Sequence, residues 1–119
     1  MTSYGEYIDV PGLLAGAALT AKQFHAVKMA STAGEVIAAA AVTDRPIGVL
    51  MNDPADGEPA DIAGPGVSMA VAATSTISAG DALAWNTTGV VTYTTAVFAR
   101  ALEAPAASGD RIKIIFFGG

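Results

Sequence analysis

His25 is the only histidine in the chain. Imidazole is the side chain whose unperturbed pKa lies near neutrality, so general-base or imidazole-metal chemistry would have to run through this residue. No acidic residue or cysteine stands near it at ligand spacing. A satisfied core or interface histidine is therefore the favoured reading. The acidic run Asn52-Asp53-Pro54-Ala55-Asp56-Gly57-Glu58 has the flavour of a calcium loop. It lacks the alternating carboxylates and closing glutamate of an EF-hand, and its proline stiffens it, so a solvated loop is expected. Gly66-Val67-Ser68-Met69-Ala70 misses the second glycine of a nucleophile elbow. Gly64-Pro65-Gly66 is too short to cradle a phosphate and offers no lysine. Trp85 could serve as a stacking platform, but a single tryptophan in an alternating strand belongs more often to a core. No nucleophile, base and oxyanion donor can be combined from these parts. The expectation is a non-enzyme with no catalytic residues, no cofactor and no metal.

Composition narrows the classes further. The chain has 119 residues, one domain by length, with no cysteine for a disulfide framework or a thiolate site. No apolar run reaches the ~20 residues of a membrane helix, and the N-terminus has no basic leader region, so no membrane partner is expected. The net charge is −5, and the six cations Lys22, Lys28, Arg45, Arg100, Arg111 and Lys113 are scattered along the sequence. Acids gather at Asp53, Asp56, Glu58 and Asp61. Such a balance would mostly repel phosphates, so nucleic acid is an unfavourable partner.

The elements that carry these residues repeat. Leu19 to Val27 matches Ile77 to Trp85, and Gly34-Glu35-Val36 matches Gly89-Val90-Val91. Arg45-Pro46-Ile47 matches Arg100-Ala101-Leu102, and Gly57 to Ile62 matches Gly109 to Ile114. The offset shortens twice, each time between matched blocks, where loops tolerate deletions. This predicts a duplicated β unit, with copies at approximately 19–62 and 77–114 inside one domain, 19–119. Short β-branched runs between turn clusters such as Asn52-Asp53-Pro54, Ser78 to Asp81 and Ser108-Gly109-Asp110 predict an all-β small barrel or sandwich. The alanine-rich stretch from Glu35 to Val42 could pass for helix, but its match to the Val90-Val91-Thr92 segment argues strand. Residues 1–18 do not alternate. They read either as an extended N-terminal arm that gains order from a partner or as a first strand packed on its own domain.

Period two assigns faces. Leu83 and Trp85 share one face and are expected in the core, which by the repeat puts His25 and Val27 inward and Phe24 outward. Val67, Met69 and Val71 form one apolar face, opposed by Ser68, Ala70 and Ala72. The last strand places Ile112, Ile114 and Phe116 on one side and Arg111, Lys113, Ile115 and Phe117 on the other. Its end is apolar on both faces, which implies a cover from another chain or from the N-terminal segment. The interface candidates are accordingly Tyr4, Tyr7, Ile8, Leu13 and Leu14, with Phe24, Ile115 and Phe117 on outward faces.

Taken in order, Ala79-Gly80-Asp81-Ala82-Leu83, the strand Arg45 to Leu50, the run 55–71 and the closing segment 100–115 form a pattern. It resembles the small capsid decoration, or cement, proteins of tailed bacteriophages, over roughly residues 19–117. The resemblance implies a β-rich protein, commonly trimeric, on the outer surface of the mature head. Made in the host cytoplasm, it would bind the major capsid protein and clamp neighbouring capsomers. It transfers no contact residue. The rival reading is a small β module binding glycan or another ligand, such as a head-fibre base or adhesin, which would need an exposed aromatic platform. An enzyme on the same scaffold is the third class.

Overall fold

The computed structural model describes residues 7–94 and 98–117. Those residues contain ten strands and no helix: β1 (Tyr7–Asp9), β2 (Leu14–Ala15), β3 (Ala26–Met29), β4 (Glu35–Ala38), β5 (Gly48–Leu50), β6 (Ile62–Val71), β7 (Ala82–Trp85), β8 (Val90–Thr92), β9 (Ala99–Ala101) and β10 (Arg111–Phe116). The all-β expectation holds. The first half of the alanine-rich stretch becomes β4, because pairing with β3 outweighs intrinsic helix propensity, while residues 39–42 form no strand.

All the strands belong to one sheet, organised around the ten-residue β6. In one direction the pairing runs β6–β10–β9–β7–β8 and returns to β6 through a bridge between Ala72 and Val90. The Ala73 N–H donates to Val90 O at 2.9 Å beside that bridge. In the other direction it runs β6–β5–β3–β4–β2 and returns just ahead of β6 through a Leu14–Pro59 bridge. Ala15 N–H to Glu58 O (2.8 Å) and Ala60 N–H to Leu13 O (3.0 Å) reinforce the second return. Two hydrogen-bonded circuits thus share one strand, which removes most of the exposed edge a β protein must otherwise protect.

The two circuits are wired alike. β3 pairs with β4 and β5, and β5 with β6; β7 pairs with β8 and β9, and β9 with β10; every pair is antiparallel. Phe24 N–H reaches Leu50 O at 2.6 Å as Gly80 N–H reaches Ala101 O at 2.7 Å. Leu50 N–H reaches His25 O at 2.9 Å as Ala101 N–H reaches Asp81 O at 3.0 Å. These bonds set Phe24 against Gly80, whereas side-chain similarity had aligned it with Ala82. A slip of two residues preserves every inward and outward assignment, so alternation alone cannot detect it.

The buried side chains form two clusters, the first of which also takes in Ala26 and Val49 from β3 and β5. Trp85, Phe116, Ile112, Ile114, Leu83 and Val90 fill the first, and Leu19, Val27, Val36, Leu50 and Ile62 the second. Each such side chain contributes roughly 1.5–3 kcal/mol on burial. Trp85 meets Phe116 edge-on, with centroids 6.0 Å apart and planes at 72°. These rings explain the polarity of β6. Its small residues Ser68 and Ala70, with Ala72 just beyond, are fully buried, while Val67, Met69 and Val71 stay half-buried on the outside. Two large aromatics opposite leave room only for small neighbours.

Of the two readings of the N-terminal segment, the described residues 7–15 fit the packed one, a pair of short strands bound to the protein's own sheet. β1 pairs with β6 and β2 with β4, while Val10 and Leu13 pack on the second core. Backbone hydrogen bonds and this burial offset the ordering cost of about 1–2 kcal/mol per residue. β1 lies on the edge of β6 opposite β5 and β10: Ala63 faces both Asp9 and Val49, and Gly66 faces both Tyr7 and Phe116.

Candidate binding surface

The groups that could carry chemistry are dispersed or already engaged. His25 is buried beside β3, and its Nε2 lies 2.7 Å from Ala39 O, so the neutral ring that donates from Nε2 is the satisfied form. Burial pushes its pKa below the usual imidazole value, the Ala39 carbonyl opposes this, and Lys22 adds a small further lowering. In the acidic loop the Asp53 carboxylate accepts from Gln23 N–H at 2.9 Å, and Glu58 accepts from Ala55 N–H at 2.8 Å. No group of three or more His, Cys, Asp or Glu among the described residues is arranged to hold a metal. An open cleft of about 280 Å³ is lined by residues including Asp9, Val10, Asn52, Pro59 and Asp61. Its Asn52 is occupied on both sides, donating to Pro59 O and accepting from Asp61 N–H. Ser68 Oγ and Trp85 Nε1 are buried without hydrogen-bond partners among the described residues, and Trp85, at 1% exposed, offers no surface platform.

The sequence-nominated interface residues fall into two groups. Ile8, 66% exposed on β1, and Leu14, 40% exposed on β2, lie in the N-terminal strands, where Tyr7 and Leu13 are half-buried. Tyr4 lies outside the described residues. Phe24 and Ile115 belong elsewhere, to the outward face formed by β6, β9 and β10. There Val67 sits opposite Ile115, Met69 opposite Lys113, and Val71 opposite Arg111. Arg100 flanks Ile115 from the far side, and Phe117, half exposed, continues the outward series of β10. Phe24 joins through its backbone, accepting from Val71 N–H at 3.4 Å, and through its ring, which lies 5.0 Å beneath the Arg111 guanidinium.

What the nomination missed on this face is its charge. Arg100, Arg111 and Lys113, half of the chain's six cations, converge here. Alternation in β10 already put Arg111 and Lys113 beside Ile115 and Phe117. The approach of Arg100 needed the β9–β10 pairing, which no local pattern announces. Elsewhere Lys28 is paired with Asp44 at 3.0 Å and Lys22 donates to Thr87 O at 3.1 Å. The Ala40 N–H, Lys28 and the Ala41 N–H together hold the Asp44 carboxyl down at about 2.

The fold and its exposed side chains define a class, a small all-β protein whose exposed apolar residues stand on strands. The chain belongs to the phage cement protein family, whose model matches residues 13–116. With that membership comes a structural, capsid-associated role in the virion. Among curated proteins nothing matches.

Proposed function

We propose that this protein binds the outer surface of a phage head, contacting the major capsid protein, and cements adjacent capsomers as a trimer. Family membership carries the reading, and the exposed apolar residues Ile8 and Leu14 on the N-terminal strands and Phe117 at the end of β10 support it. A shell-bound oligomer needs one surface for the shell and another for its neighbouring copies. In this reading each circuit is a small barrel, the N-terminal edge with Ile8 and Leu14 meets the shell, and the β6–β9–β10 face meets a second copy. An acidic body suits the outside of a head better than the lumen, where packed genome would repel it. Each contact can be modest, because engaging several subunits at once raises the effective concentration of every further contact. The protein thereby raises the barrier to rupture under internal pressure, with no chemical step.

Ile8→Asp tests the assignment, since Ile8 is too exposed to matter to folding. Losing an apolar anchor worth about 1.5–3 kcal/mol should weaken co-sedimentation with expanded shells at least tenfold, with an unchanged melting temperature. Full binding by the variant would remove the N-terminal edge from the account.

A further inference from the structure

We infer that the β6–β9–β10 face takes the acidic segment 53–61 of a second copy, in a head-to-tail contact between identical chains. The inference deepens the reading that copies meet on the shell, and rests on it for its biological setting only.

The face is both apolar and positively charged in a chain of net charge −5. Val67, Met69, Val71 and Ile115 line it, with Arg100, Arg111 and Lys113 among them. Arg100 donates to Gly80 O, and no carboxylate pairs with any of the three cations among the described residues. Nearby, Asp81, Glu103 and Asp110 accept backbone N–H groups, as Asp53 and Glu58 do in the acidic segment, and none of the three forms an ion pair with these cations. Three cations with no ion-pair partner among the described residues thus stand beside half-buried hydrocarbon, the composition of a surface that suits an acidic partner.

Phe24 adds an independent sign. Its φ is +67°, a left-handed conformation that strains any residue with a side chain. The same backbone bond in the other circuit is made by Gly80, with φ +92°. Glycine suffices for the turn, yet at Phe24 an aromatic ring is held there, stacked under Arg111. Strain retained at a surface position, with an aromatic and an arginine in contact, marks an anchor for binding.

The chain supplies the complementary surface itself. Asp53, Asp56, Glu58 and Asp61 are all exposed, and none forms an ion pair among the described residues. Exposed Ala55 and Pro59 lie between them and can meet the apolar side chains of the face. Copies of like net charge repel in most orientations, so this pairing also selects the orientation. Because the two surfaces differ, the contact is heterologous, and repeating it makes a ring where the rotation closes and a filament where it does not.

The test uses the full chain in two charge-reversed forms, R111E/K113E on the face and D56K/D61K on the segment. Each alone should sediment as a folded monomer, with a melting temperature within a few degrees of the wild type. An equimolar mixture should reassociate in equal proportions, because the acidic segment of the first variant still fits the basic face of the second, and should dissociate as salt is raised. On shells, where wild-type protein would be concentrated, mixed single-cysteine copies K113C and D56C should give a disulfide between unlike chains, which no native cysteine can confuse. Association of R111E/K113E at wild-type strength, cross-linking only between like chains, or no association in solution and no cross-link on shells would each overturn the inference. Shells that bind no wild-type protein would refute the cement reading instead, while the mixing experiment in solution still decides the head-to-tail contact.

Discussion

Gly89→Ala should be among the most damaging single-methyl substitutions in this chain. A Cβ built at Gly89 would lie 2.2 Å from Val71 O, 3.0 Å from Val71 C and 3.2 Å from Ala73 N. All three are backbone atoms, so no rotamer change relieves the contact. A carbon needs about 3.5 Å from such a neighbour, so the end of β6 and the start of β8 must part by roughly 1 Å. That movement strains the Ala72–Val90 bridge and the 2.9 Å bond from Ala73 N–H to Val90 O, which close the first circuit among the described residues. Overpacking costs about 1–3 kcal/mol and the weakened bond about 1 more, giving about 2–4 kcal/mol in all. Against a total stability of about 5–15 kcal/mol this is a large share. Gly57→Ala is the control. Its φ is +84° and nothing lies within 4 Å of the added methyl, so only left-handed strain of about 1–2 kcal/mol applies. Urea unfolding of both variants, with unchanged m-values, should lower the midpoint clearly more for Gly89→Ala. Equal losses would mean that the two strands do not approach this closely, and the closed circuit would have to be abandoned.

Because burial lowers the His25 pKa, the unfolded chain binds more protons than the folded one below the ordinary value of 6.5. Stability is then fully present above that pH and is lost as pH falls toward the depressed folded value, with a slope of at most about 1.4 kcal/mol per pH unit. His25→Gln keeps a donor for Ala39 O and should flatten the urea midpoint between pH 7 and 5; an unaltered slope would exclude His25 as its source. Ser68→Ala removes a buried hydroxyl that has no partner and should raise stability by about 1 kcal/mol in the same assay. A loss of similar size would show that the hydroxyl is hydrogen-bonded after all.

Much of the candidate surface was legible residue by residue. Alternation in β10 correctly separated Ile112, Ile114 and Phe116 from Arg111, Lys113 and Ile115, because a pleated strand offers only two sides. Ile8 and Leu14 were nominated as apolar residues of the N-terminal segment and Phe117 as the outward end of the last strand, and all three are exposed. Phe24 was read outward for the right parity but from the wrong alignment. Only the Leu50 and Val71 hydrogen bonds show that it occupies a glycine-like turn against Arg111. Over residues 7–15 the arm and the packed strand stayed open, because the strands there are too short to alternate visibly and their stability comes from partners far away in sequence.

By itself the sequence determined what depends on near neighbours: turns at its glycine, proline and aspartate clusters, strands between them, and the two sides of each strand. These follow from backbone sterics and a two-residue period, which act over a few residues. The tertiary structure alone decided which side of β6 turns inward, how β8 and β2 return to the strand that closes them, and that three cations distant from one another meet on one face. Those outcomes depend on volumes and charges brought together by pairing between strands far apart in the chain, and no local pattern encodes the partner.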